Sequence, residues 1–270
     1  MKRFELVCGV VLVGLVVVAA LVSFAWTPFD PLQVVPAQRL LSPGWPHLLG
    51  TDGFGIDIAS QLLVGAQTCL VVGIVSVGLA AVVGVPLGVV AGLRGGWLDE
   101  VVMRLADIMV AFPALLLAIL LAAVFGASTL SSMVAIGIST IPAFARVARA
   151  GTLQVAASDF VLAARSCGTS PAAIALRHVV PNIAPLAGVQ ASVGFAMAIL
   201  AQAALSYLGL GTPPPTPTWG TMLHAAQDYL FTAPIQALWP GLSIALAVLG
   251  FNLLGDGLRD YLDPKLREVS

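Results

Sequence analysis

The chain has 270 residues, of which 59% are hydrophobic and only 9% charged, with 12 Lys and Arg against 13 Asp and Glu for a formal net charge of −1. Soluble domains carry roughly 25% charged residues, so this composition, with a mean hydropathy of +1.01, excludes a soluble globular fold. The balanced charge, with no block of Lys or Arg, offers nothing to nucleic acid.

The apolar runs are unbroken rather than alternating. Hydrocarbon admits only helices or closed barrels, because every backbone polar group must be satisfied internally, so the fold class is an all-α integral membrane protein. The first run, Leu6 to Ala25, ends at Ser23-Phe24-Ala25, which looks like a signal-peptide cleavage site. Its 20 uncharged residues exceed the ~7–15 of a signal core and match the roughly 20 needed to cross a bilayer, so it is read as a retained span. Five more follow: Thr68 to Gly92, Leu105 to Phe125, Leu130 to Ala145, Ala184 to Tyr207, and Pro234 to Gly255. The fourth is short and holds Pro142.

Short cytoplasmic loops are enriched in Lys and Arg. With the N-terminus inside, Lys2, Arg3, Arg94, Arg104, Arg146, Arg149, Arg165, Arg177, Arg259, Lys265 and Arg267 are all cytoplasmic, and only Arg39 is outside. Six spans with both termini cytoplasmic is the topology this predicts. Residues 1–67 then form the first span and an extracytoplasmic segment, 68–258 the main membrane domain, and 259–270 a cytoplasmic tail. Outside lie Trp26 to Gln67 and the loop Gly209 to Ala233, whose TPPPTPTWG reads as a stiff connector rather than a recognition ligand.

Within the second span, Gly84, Gly88 and Gly92 recur every four residues and share one helix face, where small residues let a neighbouring backbone come close. Ionisable residues are nearly absent from the spans. Asp107, two residues into the third, is explained by Arg104 three residues earlier. The mid-span polar groups Gln190, Ser192 and Gln202 hydrogen-bond or line a path but carry no proton, against the habit of ion-coupled transporters. Serine-hydrolase, zincin and P-loop motifs are missing, and with Lys2 and Lys265 the only lysines no P-loop lysine exists. The chain is therefore read as a non-enzyme. Asp52-Gly53-Phe54-Gly55-Ile56-Asp57 lacks the ligand pattern of a calcium loop, and Cys8, Cys69 and Cys167 form neither a disulfide framework nor a metal site.

Between the fourth and fifth spans lies a segment, 158–182, too polar to cross. Ser158 reads as an N-cap, Asp159 opens a helix, FVLAARSC follows, and Gly168 stops it. Ser170 and Pro171 start a second helix, expected to end near His178 before Pro181. Phe160, Ala164 and Cys167 share a face of the first helix. With so little apolar surface that helix must rest on something. A lipid-surface helix needs a broader bulky face, so a groove in a partner protein fits better.

AARSCGTSPAAIALRHVVPN resembles the cytoplasmic EAA motif of ABC-importer permeases, and HLLGTDGFGIDIASQLLVGA, VPLGVVAGLRGGWLDEVVMRLADIMVAFPALLLAI, AALSYLGLGTPPPTPTWGTML and FNLLGDGLRDYLDP are similar to C-type permeases of dipeptide, oligopeptide and nickel importers. The resemblance runs from about His47 to Pro264. It departs at Ile56 (usually Arg), Phe144 (Trp), Phe160 (Tyr), Cys167 (Leu) and Gln202 (Glu). It implies a type I permease fold of six transmembrane helices and a coupling helix, about Ser158 to Ser170, that docks on an ATPase through Asp159, Ala163, Ala164, Arg165 and Gly168. It implies as partners a second, B-type permease, one or two P-loop ATPase subunits holding ATP and Mg, an extracytoplasmic binding protein and membrane lipid. No cofactor or metal is expected on this chain, and the cargo would be a dipeptide, oligopeptide, haem or nickel complex. A self-sufficient channel or secondary transporter and a purely structural scaffold are the competing readings.

Overall fold

A computed structural model describes residues 2–262. Ten α-helices are formed among them: α1 (Lys2–Ala25), α2 (Ile58–Arg94), α3 (Gly96–Ala111), α4 (Ala114–Phe125), α5 (Thr129–Ala156), α6 (Asp159–Ser166), α7 (Pro171–Ile174), α8 (Val180–Tyr207), α9 (Trp219–Ala226) and α10 (Ile235–Leu262). Five helical stretches are long and apolar enough to cross a bilayer, and a sixth crossing results when α3 and α4, bent by 81° at a short break, are taken as one span.

Several elements outrun their apolar cores. Helix α2 begins ten residues before Thr68, because Asp57 caps it by accepting from the Ser60 N–H at 2.8 Å. Helix α5 does not stop at Ala145 or break at Pro142. It continues to Ala156 because Ala145, Ala148 and Thr152 keep a buried stripe at helical spacing after the apolar run has ended. The expected third span is two helices rather than one. Pro113 disfavours helical backbone at Phe112, which is extended (φ −87°, ψ 116°).

The helix begun at Pro171 does not end before Pro181 either. A π-turn over Ala175–Val179 leads directly into α8, the Val180 N–H reaching back to Ala175 O, so Pro171–Tyr207 is one continuous stretch. The wider turn admits proline, and Asn182 Nδ2 donates to the His178 carbonyl at 2.6 Å, which Asn182's own N–H would cap in an ordinary helix.

At the centre of the bundle α2 crosses α5, and α8 packs on both. Helix α10 lies against α8 and carries α1 on its other side, and α1 also touches α2. Three apolar clusters follow one another along α2. The first gathers Ala66, Cys69, Ile199, Trp219 and Phe251, the second Val72, Val77, Ala80, Ile136 and Phe144, and the third Val89, Ala148, Val161, Ile174, Val179 and Ile183. Helix α1 contributes the buried Val16 and Ala20 to the first cluster, so it is an integral part of the bundle.

Ion pairs fasten α3 to α5. The Arg149 guanidinium grips Asp99 through both carboxylate oxygens. Asp107 pairs with Arg146 at 2.7 Å, not with Arg104, whose partner is Glu100 at 3.9 Å. The i,i+3 explanation of Asp107 is thus replaced by a contact between helices. Residues 26–57 fold over the start of α2 and meet the α8–α10 connection. Arg39 donates to the Tyr229 hydroxyl at 2.6 Å, and Gln236 Nε2 donates to Thr51 O at 3.3 Å. That connection holds a short helix, α9, with Trp219 buried and its indole N–H donated to Leu62 O at 3.1 Å.

Candidate functional site

The elbow between α5 and α8 is built on one side chain. Val161, fully buried, plugs into the third cluster between α2, α5 and the start of α8. On either side of it, Phe160 and Leu162 are half exposed, while Asp159, Ala163, Arg165, Ser166 and Cys167 are exposed and Ala164 is half-buried. The helix thus stands on a valine foot and presents small and polar residues outward. Ser158 occupies the N-cap position, but its hydroxyl turns back to donate to Val155 O at 2.6 Å, so it closes α5 rather than capping α6.

The corner itself is a Schellman turn. Gly168 N–H donates to Arg165 O at 2.9 Å, and Thr169 N–H donates to Ala164 O at 3.1 Å. Gly168 adopts φ +78°, and no atom lies within 4 Å of where a Cβ would stand. Backbone conformation, rather than lack of space, therefore calls for glycine. Ser170 Oγ then accepts from the Ala173 N–H at 3.3 Å with Pro171 at the first helical position. The rings of Phe160 and His178 face each other at 6.0 Å across the elbow.

Both arms continue into long helices. Helix α5 ends at Ala156, just before α6, and α7 runs through the π-turn into α8. A push on the exposed face of α6 therefore reaches two bundle helices through Val161 and through covalent continuity.

The other residues singled out in the sequence lie elsewhere. Gly84, Gly88 and Gly92 face α5: a Cβ at Gly84 would come within 2.7 Å of Ile141 O, one at Gly88 within 2.8 Å of Arg149 N, and one at Gly92 within 3.1 Å of Arg149 O. Gln190, Ser192 and Gln202 do not converge, since 12 residues of α8 separate the first from the last, roughly 18 Å of helix. Ser192 is buried against Gly255 of α10, and Gln202 is buried with its Nε2 donated to Ser206 Oγ at 3.1 Å and Thr212 Oγ1 at 3.2 Å. Sequence reasoning missed Val161, whose neighbours in the third cluster come from helices distant in the chain, and the α3–α5 ion pairs.

Comparisons with known proteins agree with this architecture. Residues 84–268 match the model of a family described as the binding-protein-dependent transport system inner membrane component. The dipeptide transport system permease protein DppC of Alkalihalophilus pseudofirmus is 41% identical over 264 residues, 95% of this chain and 86% of that protein. The glutathione transport system permease protein GsiD of Pectobacterium atrosepticum is 41% identical over 98% of this chain and 90% of its own length. The di/tripeptide transport system permease protein DppC of Pseudomonas aeruginosa is 41% identical over 97% and 88%. Among solved structures, a chain of the MetNI methionine ABC transporter, in inward-facing conformation, superposes with a TM-score of 0.61 at 18% identity, over 78% of this chain and 96% of its own. The chain belongs to the family of binding-protein-dependent transport system inner membrane components, and it is a multi-pass membrane protein with the type I ABC importer permease fold.

Proposed function

We propose that this chain is one of two membrane-spanning subunits of an ATP-driven importer of short peptides, and that its elbow receives the force of a separate ATPase. The relatives at 41% identity are named for dipeptide, di/tripeptide and glutathione transport, and all three cargoes contain peptide bonds. Membership of the permease family supports a second permease of B type, P-loop ATPase subunits that hold ATP and Mg, and an extracytoplasmic binding protein that delivers cargo. This chain contributes no catalytic group. Its place is the inner membrane with both termini in the cytoplasm, on the strength of eleven Lys and Arg on one side against Arg39 on the other.

In this reading Asp159, Ala163, Ala164, Arg165 and Gly168 form the docking surface. The alanines let an ATPase groove close around the helix, Arg165 offers a charged contact, and Gly168 holds the corner. ATP binding draws the elbows of the two permeases together, and the bundle rocks as a body between inward- and outward-facing states. The nucleotide acts only through its different affinity for those two states. The observation that carries the proposal is a short helix with an exposed small-residue face, footed by one buried valine and joined through short links to two bundle helices.

The test is Gly168→Val. A β-branched residue at φ +78° costs about 1–3 kcal/mol of backbone strain and opens the Schellman turn. Uptake should fall at least roughly tenfold, and ATP hydrolysis stimulated by the binding protein should fall with it, while the permease pair still assembles in the membrane. Unchanged uptake with unchanged ATPase association refutes the docking role. Purified permease that moves peptide in vesicles without ATPase subunits refutes the importer reading altogether.

A further inference from the structure

At the end of the bundle opposite the elbow, a cavity of about 240 Å³ opens between the early turns of α2, the first residue of α5 and the proline-rich stretch after α8. Its polar walls are Gln67, Thr68, Thr129, Thr212 and Thr216, its remaining walls are valines, and no ionisable side chain lines it. The volume is just below the roughly 300–1,000 Å³ of small-molecule sites, from one of the two subunits that would enclose a pathway.

The hydrogen bonds leave this wall with spare capacity of both kinds. The single Ser23 hydroxyl proton is shared between Ala20 O at 2.7 Å and Gln67 Oε1 at 3.3 Å, a weak hold on the amide, and Gln67 Nε2 has no partner among the described residues. Thr68 donates its hydroxyl proton to Val64 O, leaving its oxygen to accept. Thr212 Oγ1 accepts twice, from Thr129 Oγ1 at 3.1 Å and from Gln202 Nε2 at 3.2 Å, so its own proton is left to donate. Gln202 is only 5% exposed and its Oε1 has no partner. It fixes the polarity of Thr212 from behind the wall.

We propose that this cavity is a contact station for peptide backbone on the cargo route, and that Gln202 is a positioning residue acting through Thr212. The inference rests on the importer reading above and adds the site and its chemistry. A peptide bond presents one N–H donor and one C=O acceptor, matched by the neutral donors and acceptors of the wall. Charged cargo groups find no counter-ion here. Passage through a pathway requires contacts weak enough to leave again, and neutral hydrogen bonds meet that condition where a desolvated ion pair would hold the cargo. A carboxylate at 202, the residue usual at this position in similar permeases, would accept from Thr212 instead of donating to it and pull its proton away from the cavity, so the Thr212 donor offered here is particular to this chain.

The test uses the complete transporter, with its binding protein, in proteoliposomes and measures ATP-driven uptake of radiolabelled Ala-Ala, Ala-Lys and Ala-Glu at saturating binding protein. Wild type should move the three at maximal rates within about threefold of one another, since the wall carries no charge to sort them. The double variant Gln67→Leu with Thr216→Val should lower uptake about tenfold, the size expected for two lost hydrogen bonds, with stimulated ATP hydrolysis retained. Gln202→Glu should lower uptake several-fold in the wild-type background and have no further effect when Thr212 is already Val, the non-additivity of one shared contact. Equal uptake by the double variant, or loss of stimulated ATP hydrolysis along with uptake, overturns the station. Additive effects of Gln202→Glu and Thr212→Val overturn the positioning role. Wild type that moves none of the three peptides overturns the importer reading instead.

Discussion

Val161 decides how firmly the elbow is seated. Phe160 and Leu162 offer more apolar surface, yet the bundle takes the residue between them, because only that position points at the gap left by Val89, Ala148 and Ile183. Val161→Ala removes two methyl groups from a fully buried site, a loss of about 2 kcal/mol when the cavity left behind is included. The expected outcome is faster amide exchange over residues 159–170 and weaker uptake, with exchange in α2 and α5 unchanged; uniform acceleration across the bundle would show that Val161 supports the whole fold and not the elbow alone. At this scale the sequence was readable wherever the signal was local. Gly168, Ser170 and Pro171 announce a turn and a restart through their own backbone preferences, and the structure has both. Val161 was not readable, because its burial depends on helices far away in the chain. Pro181 misled for the same reason: read locally it terminates a helix, but the π-turn before it lets the helix continue.

Between elements, the crossing of α2 and α5 is the contact on which the others are arranged. The three glycines at four-residue spacing identify one side of that crossing from sequence, while the partner helix is not encoded in any local pattern. The limits of the spans were the least legible feature, since capping by Asp57 and the stripe Ala145, Ala148, Thr152 extend helices beyond the hydropathy that marks them. Gly88→Leu would force side-chain atoms into Ala148 Cβ and Arg149 N, each 2.8 Å from the position of a Cβ. Backbone on both helices must then separate, and the pairs Asp99–Arg149 and Asp107–Arg146 stand on the displaced α5. Folded permease recovered in mild detergent should drop at least tenfold, the scale of an overpacked core contact. Gly78, in the same helix, has nothing within 4 Å. Gly78→Ala should therefore leave yield unchanged or add about 0.5–1 kcal/mol through helix propensity. Equal tolerance of both substitutions would mean that α2 and α5 are not held at this separation.

For the whole molecule, the bent pair α3–α4 determines on which side the elbow lies. Arg39 touches Tyr229, and Thr51 touches Gln236, so the segment before α2 and the connection after α8 occupy one side of the bundle. A chain that leaves that side and returns to it must cross an even number of times. The stretches α2, α5 and Pro171–Tyr207 supply three crossings, so α3 with α4 must supply the fourth; were the pair re-entrant, residues in contact would be on opposite faces of the bilayer. With that crossing counted, the elbow lies opposite Arg39, and the excess of Lys and Arg on its side predicts that this side is the cytoplasm. The native thiols provide the readout, since Cys167 is exposed on the elbow while Cys69 is buried and Cys8 half-buried. A membrane-impermeant maleimide should label Cys167 in inside-out vesicles and leave it unmodified in intact cells, with Cys167→Ser abolishing the signal. In the Cys167→Ser background, Trp45→Cys, at a position 91% exposed on the opposite side, should show the reverse pattern. Labelling of Cys167 from outside the cell would invert the topology and remove the elbow from any cytoplasmic ATPase.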